Sequence, residues 1–312
     1  MTSLGPTTVR PPAKLACVVL AHTDPVQVKR LIAALDPLPV FVHCDSGAEP
    51  AVADEMLSGL PQRCVILDRR ATGWARWENV EAEIAGYRAA LELTDVTHIA
   101  LMTGTDYPLV PTTVILSFLQ DNYDRSMVWM HPLPYDAWGR TGGMNRIRFR
   151  HWAVGKRMLR LPFARRVPTD VQPAGGSQLK ILCRAHARAV VDAYDNFPHL
   201  AAFWRRTWIP DETFVATILN TPAFVPHWRT ETVPSNMWWI HWDETPQKSP
   251  PWLGYTQRAA VLSGRVYAEQ ELPSLFARKF STAHSTTLLD AIDERRHHRS
   301  APPVTPPSVP HD

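Results

Sequence analysis

Pro210-Asp211-Glu212 stands at the mouth of the apolar run Thr213 to Leu219, and Leu275-Phe276-Ala277-Arg278-Lys279-Phe280 stands farther along the chain. The first segment offers a carboxylate at a predicted helix start. The partial positive charge of a helix N-terminus favours an anion there, and an anionic carboxylate is what a general base must be. The second offers two adjacent cations in an aromatic, apolar frame, and cations that are partly buried call for an anionic partner. Together they would serve as a base and a diphosphate clamp, the parts that sugar transfer from a nucleotide-sugar needs when no metal is used. Taken singly, the first reads more readily as an ordinary helix start and the second as an ordinary surface pair.

Further stations lie between them. His43-Cys44-Asp45 ends a predicted strand, with a carboxylate able to accept from a base or a ribose hydroxyl. Trp74-Ala75-Arg76-Trp77 could stack a base or a sugar face, or simply supply two core tryptophans. Thr103-Gly104-Thr105-Asp106-Tyr107-Pro108 puts hydroxyls and a carboxylate in a tight turn after a strand. Arg146, Arg148 and Arg150 alternate with Ile147 and Phe149, which predicts a strand with one basic face.

Several chemistries are excluded. No GxGxxG follows the first predicted strand and no GxxxxGK[ST] occurs, which disfavours dinucleotide and P-loop sites. Asp-x-Asp is absent as well. The net charge of +3 gives no support for nucleic-acid binding. The 4 cysteines form no CxxC pair, so a reduced, cytoplasmic protein without a structural zinc is expected. The His297-His298 pair is too isolated for a metal site. No apolar stretch is long enough to span a bilayer, while peripheral membrane contact stays open.

These residues need a scaffold. Strands are predicted at Leu15–Leu20, Val40–His43, Cys64–Leu67, His98–Met102 and Met127–Met130. Helices are predicted at Asp24–Leu35 (Asp24 as N-cap, Pro25 in the first turn), Asn79–Leu93, Thr113–Leu119 and Glu212–Leu219. Gln178–Tyr194 reads as a strand leading into a helix, and Met237–Trp242 as an aromatic strand. The alternation predicts an α/β fold with a mainly parallel central sheet flanked by helices. Ligands then bind beyond the carboxyl ends of the strands. Residues 1–13 are expected to be a flexible lead, 14–294 a single domain, and 295–312 a disordered Pro-rich tail.

In this order the segments resemble the core-2/I-branching glycosyltransferase family, which includes β-1,6-N-acetylglucosaminyltransferases and peptide O-xylosyltransferases. The matching pieces are Leu20-Ala21-His22, Phe41-Val42-His43-Cys44-Asp45, Gly73-Trp74-Ala75-Arg76-Trp77, Thr105-Asp106-Tyr107-Pro108, Gly176-Ser177-Gln178, Pro210-Asp211-Glu212, Ile240-His241-Trp242 and Leu275 to Phe280. The resemblance implies a GT-A-like (Rossmann-like) fold lacking Asp-x-Asp. It also implies inverting transfer from a UDP-sugar, with no metal and no other cofactor. By motif, Glu212 is the general base. Lys279, with Arg278 or Arg258, grips the diphosphate. His43, Asp45 and Trp74 hold the uridine. Trp242 contacts the acceptor, and Asp106 is assigned to the acceptor side as well. The segment from Gly143 to Lys156 matches poorly, so the acceptor transfers least.

The expected function is therefore movement of GlcNAc or xylose from a UDP-sugar to a hydroxyl on a glycan, glycopeptide or small molecule. Two alternatives stand beside it. A non-catalytic carbohydrate-binding protein would use the same tryptophans and ignore UDP. A glycoside hydrolase would need two flanking carboxyls, and the adjacent Asp211 and Glu212 suit that poorly.

Overall fold

The computed structural model describes residues 10–154, 157–242, 249–264 and 272–300. Residues 1–9 of the expected lead and 301–312 of the expected tail lie outside them. A 7-stranded sheet forms the centre. Its strands are β1 (Leu15–Ala21), β2 (Val40–Cys44), β3 (Cys64–Ile66), β4 (His98–Thr103), β6 (Ser126–Met127), β11 (Lys180–Cys183) and β12 (Thr232–Val233). Their order is β12-β6-β11-β4-β1-β2-β3. The β3-β2-β1-β4 half is parallel throughout, and β11 runs antiparallel to both of its neighbours.

Side chains alternate across a strand, so each strand feeds two cores. Leu15, Cys17, Val19 and Ala21 point into one, with α1 (Pro25–Ala34), α2 (Pro50–Leu57), α4 (Thr112–Asp121) and α10 (Thr282–Ser300). Ala16 and Val18 point into the other, with α3 (Glu78–Leu91), α6 (Arg184–Asn196), α7 (Pro198–Trp204) and α8 (Phe214–Asn220). The expected strands and helices of the first half are present with ends shifted by a few residues, except Met127–Met130, which divides into β6 (Ser126–Met127) of the central sheet and β7 (Met130–Pro132) of a separate pair. The N-cap holds too: Asp24 Oδ1 accepts from the Gln27 N–H at 3.1 Å.

Smaller sheets carry the loops at the carboxyl ends. β5 (Asp106–Pro108), β13 (Trp238–Ile240) and β14 (Phe276–Arg278) form a 3-stranded sheet in the order β13-β14-β5. β7 (Met130–Pro132) pairs with β10 (Ala174–Gly176), and β8 (Phe149–Val154) with β9 (Arg157–Ala164). Short α-helices α5 (Asn145–Arg148) and α9 (Arg258–Val261) are also found among the described residues.

Three expectations change. Arg146 and Arg148 lie in α5, and the strand begins only at Phe149; burial of Ile147 turns the chain there. Glu212 closes a 3₁₀ turn, Pro210–Glu212, and the α-helix starts after it at Phe214. The disordered tail does not begin at 295. α10 continues to Ser300 because Arg295 donates to the Leu262 carbonyl, and Arg296 to the Ala34 and Val110 carbonyls. At the other end, Ala13 is buried and its N–H donates to Gln120 Oε1 at 2.6 Å. Among the described residues no helix is long and apolar enough to cross a membrane.

Candidate active site

A cleft of about 540 Å³ opens on the carboxyl-end side of the sheet. Trp74, Trp129, Trp138 and Trp242 line it, together with Arg146, Asp211, Glu212, Asn236 and Arg278. Trp74 and Trp242 are 48% and 61% exposed, so two broad apolar faces stand open to solvent at the cleft.

The carboxylate side comes from the turn before α8. Ile209 enters it with φ 53° and ψ 60°. Left-handed backbone is unfavourable for a β-branched residue, and such strain collects at functional sites. Ala75 in the cleft wall and Met237 beside it share that conformation. Glu212 is ion-paired with Arg146, whose guanidinium lies 4.0 Å over the Trp138 ring. Trp138 in turn sits where only glycine leaves room. A Cβ on Gly143 or Gly175 would come within 2.4 or 2.5 Å of its ring. Asp211 is buried behind Glu212, and Asn79 Nδ2 reaches its Oδ2 at 3.5 Å. Burial pushes its carboxyl up to about 7, and the neighbouring Glu212 adds to the effect.

The cation side comes from strand register. β14 pairs antiparallel with β5, which sets Arg278 opposite Asp106. Arg278 Nε stands 3.6 Å from Asp106 Oδ1. Asp106 also accepts from the Thr103 N–H at 2.8 Å and from its hydroxyl at 3.0 Å. Burial raises the Asp106 pKa, against the downward pull of Arg278 and Thr103. Lys279 Nζ lies 4.0 Å over Trp252 and donates to Ser249 Oγ, on the cleft wall, at 3.3 Å. Burial, with Arg278 beside it, lowers its pKa.

The structure brings Glu212, Trp74, Trp242 and Arg278 to one cleft, with Lys279 at its edge. Asp45 and His43 lie behind it. Asp45 Oδ2 accepts from the Thr72 N–H at 3.1 Å and from its hydroxyl. His43 Nε2 accepts from the Arg70 N–H at 3.1 Å. Both therefore tie the loop that carries Trp74 to the end of β2. His43 is 1% exposed, which leaves it no face for a direct nucleoside contact. Asp106 likewise has 0% exposure, which leaves it no open face for an acceptor, and it stands against Arg278. Arg258 is exposed on α9, with its guanidinium 5.9 Å from the Tyr255 ring, and does not line the cleft.

Trp129, Trp138, Asn236 and the role of Arg146 were not foreseen. Asn236 Nδ2 donates to Ser177 Oγ at 3.0 Å, and the Ser177 N–H donates to the Trp129 carbonyl at 2.9 Å. A signal for Trp138 was present in the glycines that flank its site, but it is readable only with the fold in hand. Among the described residues no group of three His, Cys, Asp or Glu side chains converges as metal ligands would.

A family model described as Core-2/I-Branching enzyme matches residues 36–259. Xylosyltransferase 2 of Mus musculus and that of Homo sapiens are each 23% identical over 316 residues, covering 95% of this chain and 35% of theirs. Xylosyltransferase 2 of Bos taurus is 24% identical over 310 residues, covering 91% and 33%. The chain thus spans about a third of the length of the curated relatives it matches.

Proposed function

The chain belongs to the Core-2/I-Branching enzyme family, and from that premise we propose that it is a glycosyltransferase moving xylose or GlcNAc from a UDP-sugar to an acceptor hydroxyl, with inversion and without a metal. The observation that carries this reading is the cleft itself, in which Glu212 and Arg278 line one tryptophan-walled space. Glu212 takes the proton from the acceptor hydroxyl. That oxygen attacks the anomeric carbon from the face opposite the diphosphate. Negative charge grows on the leaving UDP, and Arg278 and Lys279 meet it. Fixed cations accelerate the step because they are worth more to the transition state than to the ground state. Trp74 stacks the uracil, with Asp45 and His43 holding its loop. Trp242 offers a face to the acceptor.

The hydrolase alternative loses support because Asp211 is mostly buried and adjoins Glu212 in one 3₁₀ turn, so the two carboxyls make a poor pair to flank a glycosidic bond. The test is incubation with UDP-xylose or UDP-GlcNAc, with and without glycan, peptide and small-molecule acceptors. Glu212→Gln should still bind UDP and should lose about 10²–10⁴-fold in transfer. Retention of more than half the rate would remove Glu212 from the role. Glycan binding with no UDP binding by the native protein would replace catalysis with lectin-like recognition.

A further inference from the structure

No Asp or Glu lies between Asp136 and Asp170, while Arg and Lys recur throughout. The formal net charge of the whole chain is only +3, so positive charge is gathered in this one stretch. It folds as α5 and the β8–β9 hairpin, whose strands pair with each other and with no strand of the central sheet. Alternation along β9 puts Leu159, Leu161 and Phe163 on one face. They are 52%, 37% and 79% exposed. Arg148, Arg150 and Arg166 of the same stretch are exposed too, while Arg160 stands on the other face of β9, opposite His151. The hairpin is anchored through β8. His151 is buried, its N–H donates to the Arg206 carbonyl at 2.9 Å, and its ring stacks on Trp208 at 6.2 Å.

We propose that this hairpin docks the protein on the surface of an anionic lipid bilayer, with Leu159, Leu161 and Phe163 entering the headgroup boundary and the arginines facing the lipid phosphates and carboxylates. Apolar insertion and cation attraction reinforce each other on such a surface. A soluble polyanion would engage the arginines and leave Phe163 in water. A second copy of the chain would bring one positive field against another, which is repulsive. Placement adds to the case, since Trp208 contacts both His151 of the hairpin and Trp74 of the cleft, the latter at 6.3 Å. Docking by the hairpin would therefore set the cleft beside the lipid surface. The inference does not depend on the identity of the reaction.

The experiment is co-flotation of the full chain with phosphatidylcholine vesicles, with and without phosphatidylserine. Binding is expected only with phosphatidylserine and should weaken as salt is added. Leu161→Ser combined with Phe163→Ser should cost about tenfold in vesicle affinity. Arg150→Gln and Arg166→Gln should cost about fivefold each. Thermal melts of the variants show whether they are folded. Failure of the native chain to bind phosphatidylserine vesicles overturns the proposal, as does unchanged binding by the Ser variant. Heparin binding without vesicle binding reassigns the face to polyanions. Self-association that Phe163→Ser abolishes, again without vesicle binding, reassigns it to a second copy.

Discussion

Asp211 and Glu212 are neighbours with opposite surroundings. Glu212 stands in the cleft against Arg146, while Asp211 is buried with one oxygen lacking a hydrogen-bond partner among the described residues. With its pKa raised to about 7, Asp211 keeps its proton in the folded state over a range where the unfolded chain has lost it. The unfolded carboxyl titrates near pH 4, so between about pH 4 and 7 stability should fall as pH rises, by up to about 1.4 kcal/mol per pH unit. Asp211→Asn removes that proton uptake. Urea melts at pH 5 and pH 8 should show a clearly flatter pH dependence in the variant, and an identical slope would refute the buried acid. Glu212 and Arg278 could be singled out in sequence because local motifs announce them, and both line the cleft. Arg146 was not, because its importance comes from stacking on Trp138 and pairing with Glu212, contacts that no spacing encodes. Asp106 was misread for a related reason. A carboxylate in a turn looks available until strand pairing sets it opposite Arg278 and seals it.

At the scale of elements, Trp138 links the β7–β10 pair to α5. Gly175→Ala would put a methyl 2.5 Å from that ring. Overpacking of this kind costs about 1–3 kcal/mol, and the displaced ring would take Arg146 away from Glu212. The expected outcome is a lower melting temperature, an altered near-ultraviolet tryptophan signal and reduced transfer. A change in stability with transfer intact would mean that the Trp138–Arg146 stack is structural only. α10 makes a second test. A chain ending at Glu294 loses the bonds from Arg295 and Arg296 to the Leu262, Ala34 and Val110 carbonyls. These bonds are partly buried, and bonds from charged donors are worth about 1.5–3 kcal/mol each, so this truncation should melt below a chain ending at Ser300. Equal melting would restore 295 as the boundary. The parallel half of the sheet was legible because its strands are apolar runs separated by helical periodicity. α10 was not legible, because its final turns are polar and its anchors are arginines bonded to distant carbonyls.

Across the whole molecule, the cleft is assembled from the loop after β3, the turn before α8 and β14 near the end of the chain. Sequence alternation pointed to the carboxyl ends of the parallel strands, but the small β13-β14-β5 sheet that delivers Arg278 depends on a pairing between segments far apart in sequence. A UDP molecule seated between Trp74 and Arg278 would join these parts. Such a ligand stabilises by about 2.7 kcal/mol at a hundredfold excess over its Kd, so UDP should raise the melting temperature, and should do so in EDTA as fully as with Mn²⁺. Arg278→Ala should abolish most of the rise. Lys279→Ala should reduce it and slow transfer by roughly 10²–10³-fold, by analogy with the loss of an oxyanion donor. Lys279→Arg should recover part of the rate, because the guanidinium carries the charge in a larger, planar form. The pH dependence follows from the same charge. Burial and Arg278 lower the Lys279 pKa, so Lys279 loses its proton at a lower pH than an ordinary lysine. UDP affinity should fall on the alkaline side before ordinary lysines titrate, and that limb should disappear in Lys279→Arg. If chelation removes the thermal shift and Mn²⁺ restores it, a metal rather than this pair of cations holds the diphosphate.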